Sequence, residues 1–205
     1  DSNGSGMIWN TPFSQFVRGE LTIGRTWIFG KRGGQAIATR ILAGAGYAYG
    51  NSQILPFEKH FYGGGSNSLR GWQVRTVGPG LSPMDNSFVI PNQTGDMKLE
   101  ANIEYRSKMF WKIAGALFVD AGNVWTLKDD GGEYGKSSMF RIESFGESIA
   151  ANWGAGLRLD FNFLVLRLDM GIKIHDPARE RKWVNPNQWF KHDGYAVHFG
   201  VGYPF

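Results

Sequence analysis

Five stretches of this 205-residue chain change polarity at every second position, a period that commits a segment to strand rather than helix. In "GDMKLEANIEYR" one face carries Asp96, Lys98, Glu100, Asn102, Glu104 and Arg106, and the other Met97, Leu99, Ala101, Ile103 and Tyr105. "WKIAGALFVDAGNVW" sets Ile113, Leu117 and Val119 against Lys112, Phe118 and Asp120. "ANWGAGLRLDFN" opposes Trp153, Leu157, Leu159 and Phe161 to Asn152, Arg158, Asp160 and Asn162. "LVLRLDMGIKIH" does the same with Leu166, Leu168, Met170, Ile172 and Ile174 against Arg167, Asp169, Lys173 and His175. In "GYAVHFGVGYPF" the outward set is Tyr195, Val197, Phe199, Val201, Tyr203 and Phe205. "QFVRGELTIGRTWIFG" and "QAIATRILAGAGYAYG" alternate less cleanly and are also read as strands.

A soluble sandwich alternates too, so the connections must separate the two architectures. Short links, such as "KRGG" at 31–34, take turns with long ones at about 50–95, 126–149 and 176–193. Short turns at one end and long loops at the other are the plan of a transmembrane barrel, whose strands of about 10 residues cross an apolar band roughly 25 Å tall. The expected fold is therefore all-β, an antiparallel transmembrane β-barrel of about seven strands with its charged faces inward. Lipid offers no hydrogen-bond partner, so its edges must be paired. The absence of any long apolar run excludes only helical spans.

The 29 glycines suit a turn-rich β protein. With no cysteine, disulfides, thiol nucleophiles and cysteine zinc sites are excluded. The net charge of +4 is spread among interleaved acids, so no nucleic-acid partner is expected. "DSNGSGMIWN" lacks a charged region followed by an apolar one, and no signal peptide is expected within it. His60, His175, His192 and His198 show no metal-ligand spacing; no nucleophile elbow occurs, and His175-Asp176 and His192-Asp193 fall at loop borders. Asp129 and Asp130 lack the calcium-loop pattern. The chain is expected to be no enzyme and to need no cofactor or metal. Trp125, Trp183 and Trp189 suit an interfacial aromatic girdle.

One loop, "FYGGGSNSLRGWQVRTVGPG" at 61–80, departs from the strand pattern. Its Gly64, Gly65, Leu69, Arg70, Gly71 and Trp72, followed by Gly78 and Pro79, resemble the loop motif of the BamA/TamA family of outer-membrane protein assembly barrels, TamL-like members included. "NIEYR" and "FVDAGNVW" are similar to the family strands that follow that loop. The resemblance implies that the loop folds into the barrel and that Arg70 meets Glu104 and Asp120, which the alternation puts on the inner face. An arginine offers a rigid fork of donors for two carboxylates, and glycines let the backbone approach the wall. Such a tie either serves activity or only stiffens the barrel.

The ending "HFGVGYPF" is similar to the family's C-terminal assembly signal. Gly200, Gly202, Tyr203 and Phe205 are read as one side of a gate, or, for the glycines, as room for the loop. Seven strands leave two edges running the same way, which cannot pair antiparallel with each other. The expectation is thus residues 1–14 as an extracellular loop or truncated strand end, and 15–205 as the C-terminal portion of a larger barrel, for which the family resemblance implies sixteen strands and a loop 50–95 folded into the lumen. A short form, in which "SGMIWN" begins an eighth strand, is the alternative.

The implied function is insertion of β-barrel proteins into the bacterial outer membrane, or translocation of proteins across it. The competing expectation is a passive pore or structural barrel. Partners on the first reading are outer-membrane lipid, client barrel proteins, the missing N-terminal strands, periplasmic domains and accessory lipoproteins.

Overall fold

The computed structural model describes residues 7–8, 11–84, 93–129, 135–161, 163–191 and 193–205. Asp130, Asn162 and His192 lie outside the described residues. Seven strands form one antiparallel sheet in chain order: β1 (Gln15–Phe29), β2 (Gln35–Tyr49), β3 (Met97–Phe110), β4 (Ile113–Trp125), β5 (Ala150–Asp160), β6 (Val165–His175) and β7 (Tyr195–Val201). Met7–Ile8 pairs with Thr11–Pro12 in a separate two-stranded ribbon, so these residues add no eighth strand to the sheet. No helix among the described residues is long and apolar enough to cross a membrane, which says nothing of the strands.

Alternation becomes two physically distinct faces. Ile103, Leu117 and Phe199 are 56%, 56% and 68% exposed on the outer face. Glu104, Asp120, Arg158 and Asp169 are 0% exposed on the inner one. A soluble fold would hide the first set and wet the second. This inversion is what a lipid-facing wall requires, because charges are costly in hydrocarbon and apolar side chains are at home there.

The inner charges are buried by the chain segment between β2 and β3, which lies across the inner face. Close approach needs small residues on the wall, and glycines supply it. A Cβ on Gly44 of β2 would stand 2.5 Å from the Phe61 ring, and one on Gly46 would stand 2.8 Å from Leu55. On β6, a Cβ on Gly171 would run into the carbonyl of Arg70. Leu69, Trp72 and Val77 of the loop then form a small apolar cluster with Ala150 of β5. Burying an aromatic of this size contributes on the order of 3 kcal/mol.

The final strand is shorter than its alternation suggests. Tyr203 and Phe205 were expected to continue the outer face, but β7 ends at Val201. Gly202 adopts φ +81°, a left-handed conformation that turns the chain and favours glycine. Pro204 has no N–H for a ladder. The terminal residues swing inward instead. Arg106 of β3 lies 4.3 Å from the centre of the Tyr203 ring and donates to the Phe205 carbonyl at 3.2 Å, while Arg40 of β2 lies 5.1 Å from the Phe205 ring. Trp125 also departs from expectation. It is enclosed rather than at a girdle, with its indole N–H on Ser148 Oγ at 3.0 Å and its ring 5.6 Å and 5.8 Å from Phe140 and Phe145. The cause is the β4–β5 connection, which folds back over the strand end.

Candidate functional site

Strand register decides which inner-face residues share a height. Asn102 of β3, Asp120 of β4 and Asn152 of β5 stand opposite one another in a single row. That row puts two amide donors on the Asp120 carboxylate, Asn102 Nδ2 at 2.9 Å and Asn152 Nδ2 at 3.0 Å. The loop supplies the rest. Gly64 and Gly65, at φ +87° and +94°, turn the backbone, and the Gly64 N–H donates to Ser68 Oγ at 3.1 Å. This brings Arg70 down onto the row.

Arg70 Nε and Nη2 donate to the two oxygens of Asp120 at 3.0 and 2.9 Å, and its backbone N–H donates to Oδ2 at 3.2 Å. Its remaining Nη1 donates to Glu104 of β3 and stands 3.9 Å from Asp169 of β6. The guanidinium carbon lies over Phe118, 3.4 Å from the ring centre. Burial pulls the Arg70 pKa down, but the hydrogen bond and charge of Asp120, with Glu104 adding, outweigh it and leave the pKa above the ordinary arginine value. Asp120 accepts five donors and is the hub of the site.

The site is wider than the trio the sequence pointed to. Glu104 also binds Arg106 Nε at 2.8 Å and Arg158 Nη2 at 3.2 Å. Asp169 bridges Arg158 and Arg167, at 2.5 and 3.2 Å. Arg167 continues to the loop, donating to the Ser66 carbonyl at 2.8 Å and to the Asn67 side chain. Three fully or almost fully buried arginines, Arg70, Arg158 and Arg167, thus face three buried carboxylates. A balanced, hydrogen-bonded set of this kind avoids the several-kcal/mol penalty that each isolated ion would carry.

The other residues singled out from the sequence fall around this centre. Leu69 and Trp72 are buried in the loop core, and Gly71 lies close enough to β5 that a Cβ would stand 2.7 Å from Asn152 Cβ. Gly200 makes room for Arg167, not for the loop directly, since a Cβ there would meet Arg167 Nε at 2.5 Å. Gly202 has nothing within 4 Å and serves the turn. His198 of β7 was noted in the sequence only as a histidine without metal-ligand spacing; its Nε2 lies 3.1 Å from the Arg70 carbonyl, which links the last strand to the loop. His175 and Asp176 do not form a dyad. His175 Nδ1 pairs with the Ile149 carbonyl at 2.6 Å, and Asp176 holds Lys173 and Arg179. Among the described residues no group of three or more His, Asp or Glu is placed to hold a metal.

The arrangement joins a glycine-turned loop, its arginine and two acidic strands in one buried unit. A family model described as the Omp85 superfamily domain matches residues 2–205. The chain belongs to the Omp85 superfamily. The outer membrane protein assembly factor BamA of Neisseria meningitidis is 27% identical over 154 residues, 71% of this chain and 18% of that protein. Among solved structures, BamA from Haemophilus ducreyi lacking POTRA domains 1–3 has a TM-score of 0.60 at 17% identity, covering 91% of this chain and 34% of that one. CdiB from Acinetobacter baumannii has a TM-score of 0.47 at 16% identity, covering 92% and 27%. This Omp85 chain thus spans less than a fifth of the curated relative and about a third of the BamA crystal chain. Omp85 proteins such as BamA are non-enzymatic proteins of the bacterial outer membrane. The strands described here are a partial barrel of that type, with the charged face toward the lumen.

Proposed function

We propose that this Omp85 chain is the C-terminal part of a barrel that inserts β-barrel proteins into the outer membrane or translocates proteins across it, with β7 as one side of the seam that opens to the client. The observation that carries this reading is β7 itself. It is seven residues long, against fifteen for β1 at the opposite edge, it pairs only with β6 among the described residues, and its inner face is joined to the motif loop through His198. An edge this short presents few ladder bonds, so exchanging a neighbouring strand for a client's costs little. Client barrel proteins, upstream strands, periplasmic domains and accessory lipoproteins are the partners that follow. A passive pore is the poorer reading, because the Arg70 loop fills the inner face with residues that are fully buried.

The test uses the full-length protein in liposomes, with a cysteine pair joining β7 to the first strand of the complete barrel. The oxidised form is expected to lose at least tenfold in the rate of client insertion and to recover on reduction. Undiminished insertion by the locked form would sink the gate. Ion conductance without any acceleration of client folding would favour the pore.

A further inference from the structure

The connection between β6 and β7 does not simply stand away from the barrel; part of it lies back on the outer wall. Trp153 of β5, Ile172 of β6 and Tyr195 of β7 are paired in register on the lipid-facing side. Ile172 is nevertheless only 2% exposed. Trp189 packs against Trp153, ring centres 5.7 Å apart at 63°, and so brings the connection down onto this wall. The short turn Pro186–Gln188 immediately before it is fixed by Asn185, whose side chain accepts from the Asn187 N–H at 3.0 Å. Phe190, next to Trp189, and Trp183, which packs on His175 at the end of β6, are each 67% exposed and leave apolar surface on this connection. Exposed aromatics at the long-loop end of a barrel mark the outer membrane–water interface.

The same connection forms an open cleft of about 380 Å³ lined by Arg179, Arg181, Asn185, Asn187, Gln188 and Lys191. Three are cations, three are amides, and none is acidic. None of the described acids of this connection, Asp176, Glu180 and Asp193, lines it. Asp176 is 4% exposed and already holds Lys173 and Arg179, and Glu180 does not line the cleft. Arg179 is held in place by Asp176 at 3.2 Å and by the Asp193 carbonyl at 2.7 Å. Arg181 and Lys191 are exposed at the rim, and neither has an ion pair among the described residues.

We infer that this cleft binds the phosphorylated headgroup of an outer-leaflet glycolipid. The cations take the phosphate, as arginine forks do for planar anions, and the amides meet sugar hydroxyls. A lipid, and not a free anion, is the occupant because Trp189, between the cleft-lining Gln188 and Lys191, packs on the outward-facing Trp153 and the adjoining Phe190 is left exposed, apolar surface that acyl chains would cover. The inference is independent of the insertion reading, since it concerns how the barrel sits in its membrane.

Binding of bis-phosphorylated lipid A and of its dephosphorylated form to the detergent-purified full-length protein, followed by native mass spectrometry, tests it. The phosphorylated lipid should bind at least tenfold more tightly, and Arg181→Gln with Lys191→Gln should erase that preference, the loss expected when two basic residues are removed from an anionic lipid surface. Both side chains are exposed, so the double variant keeps the fold. Lys182→Gln, which removes a lysine bound to Glu147 outside the cleft, should keep the preference. Equal binding of the two lipids, or an unchanged preference in the double variant, overturns the site. Displacement of the lipid by millimolar inorganic phosphate overturns the lipid assignment in favour of a free-anion site.

Discussion

Arg70→Ala releases the loop from the barrel wall and lowers stability by about 3–5 kcal/mol, the usual range for removing one partner of a buried ion pair. The loss is concentrated at Asp120. Glu104 keeps Arg106 and Arg158, whereas Asp120 is left with two asparagine amides and a backbone N–H in place of a guanidinium. The stacking over Phe118 goes as well. Unfolding of the full-length protein in denaturant reads the energy, and trypsin reads the geometry, since Lys59 and Arg75 flank the loop centre and should be cut faster. Arg70→Lys should fall between the two, because a lysine restores charge but not the two-pronged contact with Asp120. A loop as well protected in Arg70→Ala as in the wild type would show that packing by Leu69 and Trp72 alone holds it.

Gly171→Val should give a comparable release with every charge intact. The first side-chain carbon at this position would occupy the place of the Arg70 carbonyl and stand 2.6 Å from the Gly71 nitrogen. Backbone on both sides leaves no rotamer to relieve the overlap, so either the loop lifts or β6 bends. Overpacking of this kind costs about 1–3 kcal/mol, occasionally more. Faster trypsin cleavage at the loop, together with weaker client insertion, is the expected pair of results. Normal protection in Gly171→Val would mean that the loop rides higher on the wall than described. Comparing the two variants separates what the charge does from what the close approach does.

The strands were legible because lipid on one side and charge on the other impose a strict period of two. That period assigns a face and says nothing about height. Arg158, Asp169 and Asn152 could be put on the inner face from sequence, but only register brings them to the level of Arg70. Arg70→Ala therefore leaves Glu104 better compensated than the sequence suggested. Gly171 carried no sequence mark of its role, since a glycine that makes room for another backbone looks like any other. Tyr203 and Phe205 were misplaced for a related reason: alternation continued through them, but Gly202 and Pro204 ended the strand.

Asp120 receives the Arg70 backbone N–H as well as its side chain. Every residue at position 70 other than proline presents that N–H to the wall, so the polarity of the contact does not belong to the arginine alone. Exchanging the charges, with Arg70→Asp and Asp120→Arg together, would restore opposite signs yet set a guanidinium against a donor and leave the Asn102 and Asn152 amides without their acceptor. The lock therefore has a direction: the loop must donate and the strand must accept, and no mirror-image pair of residues can take its place.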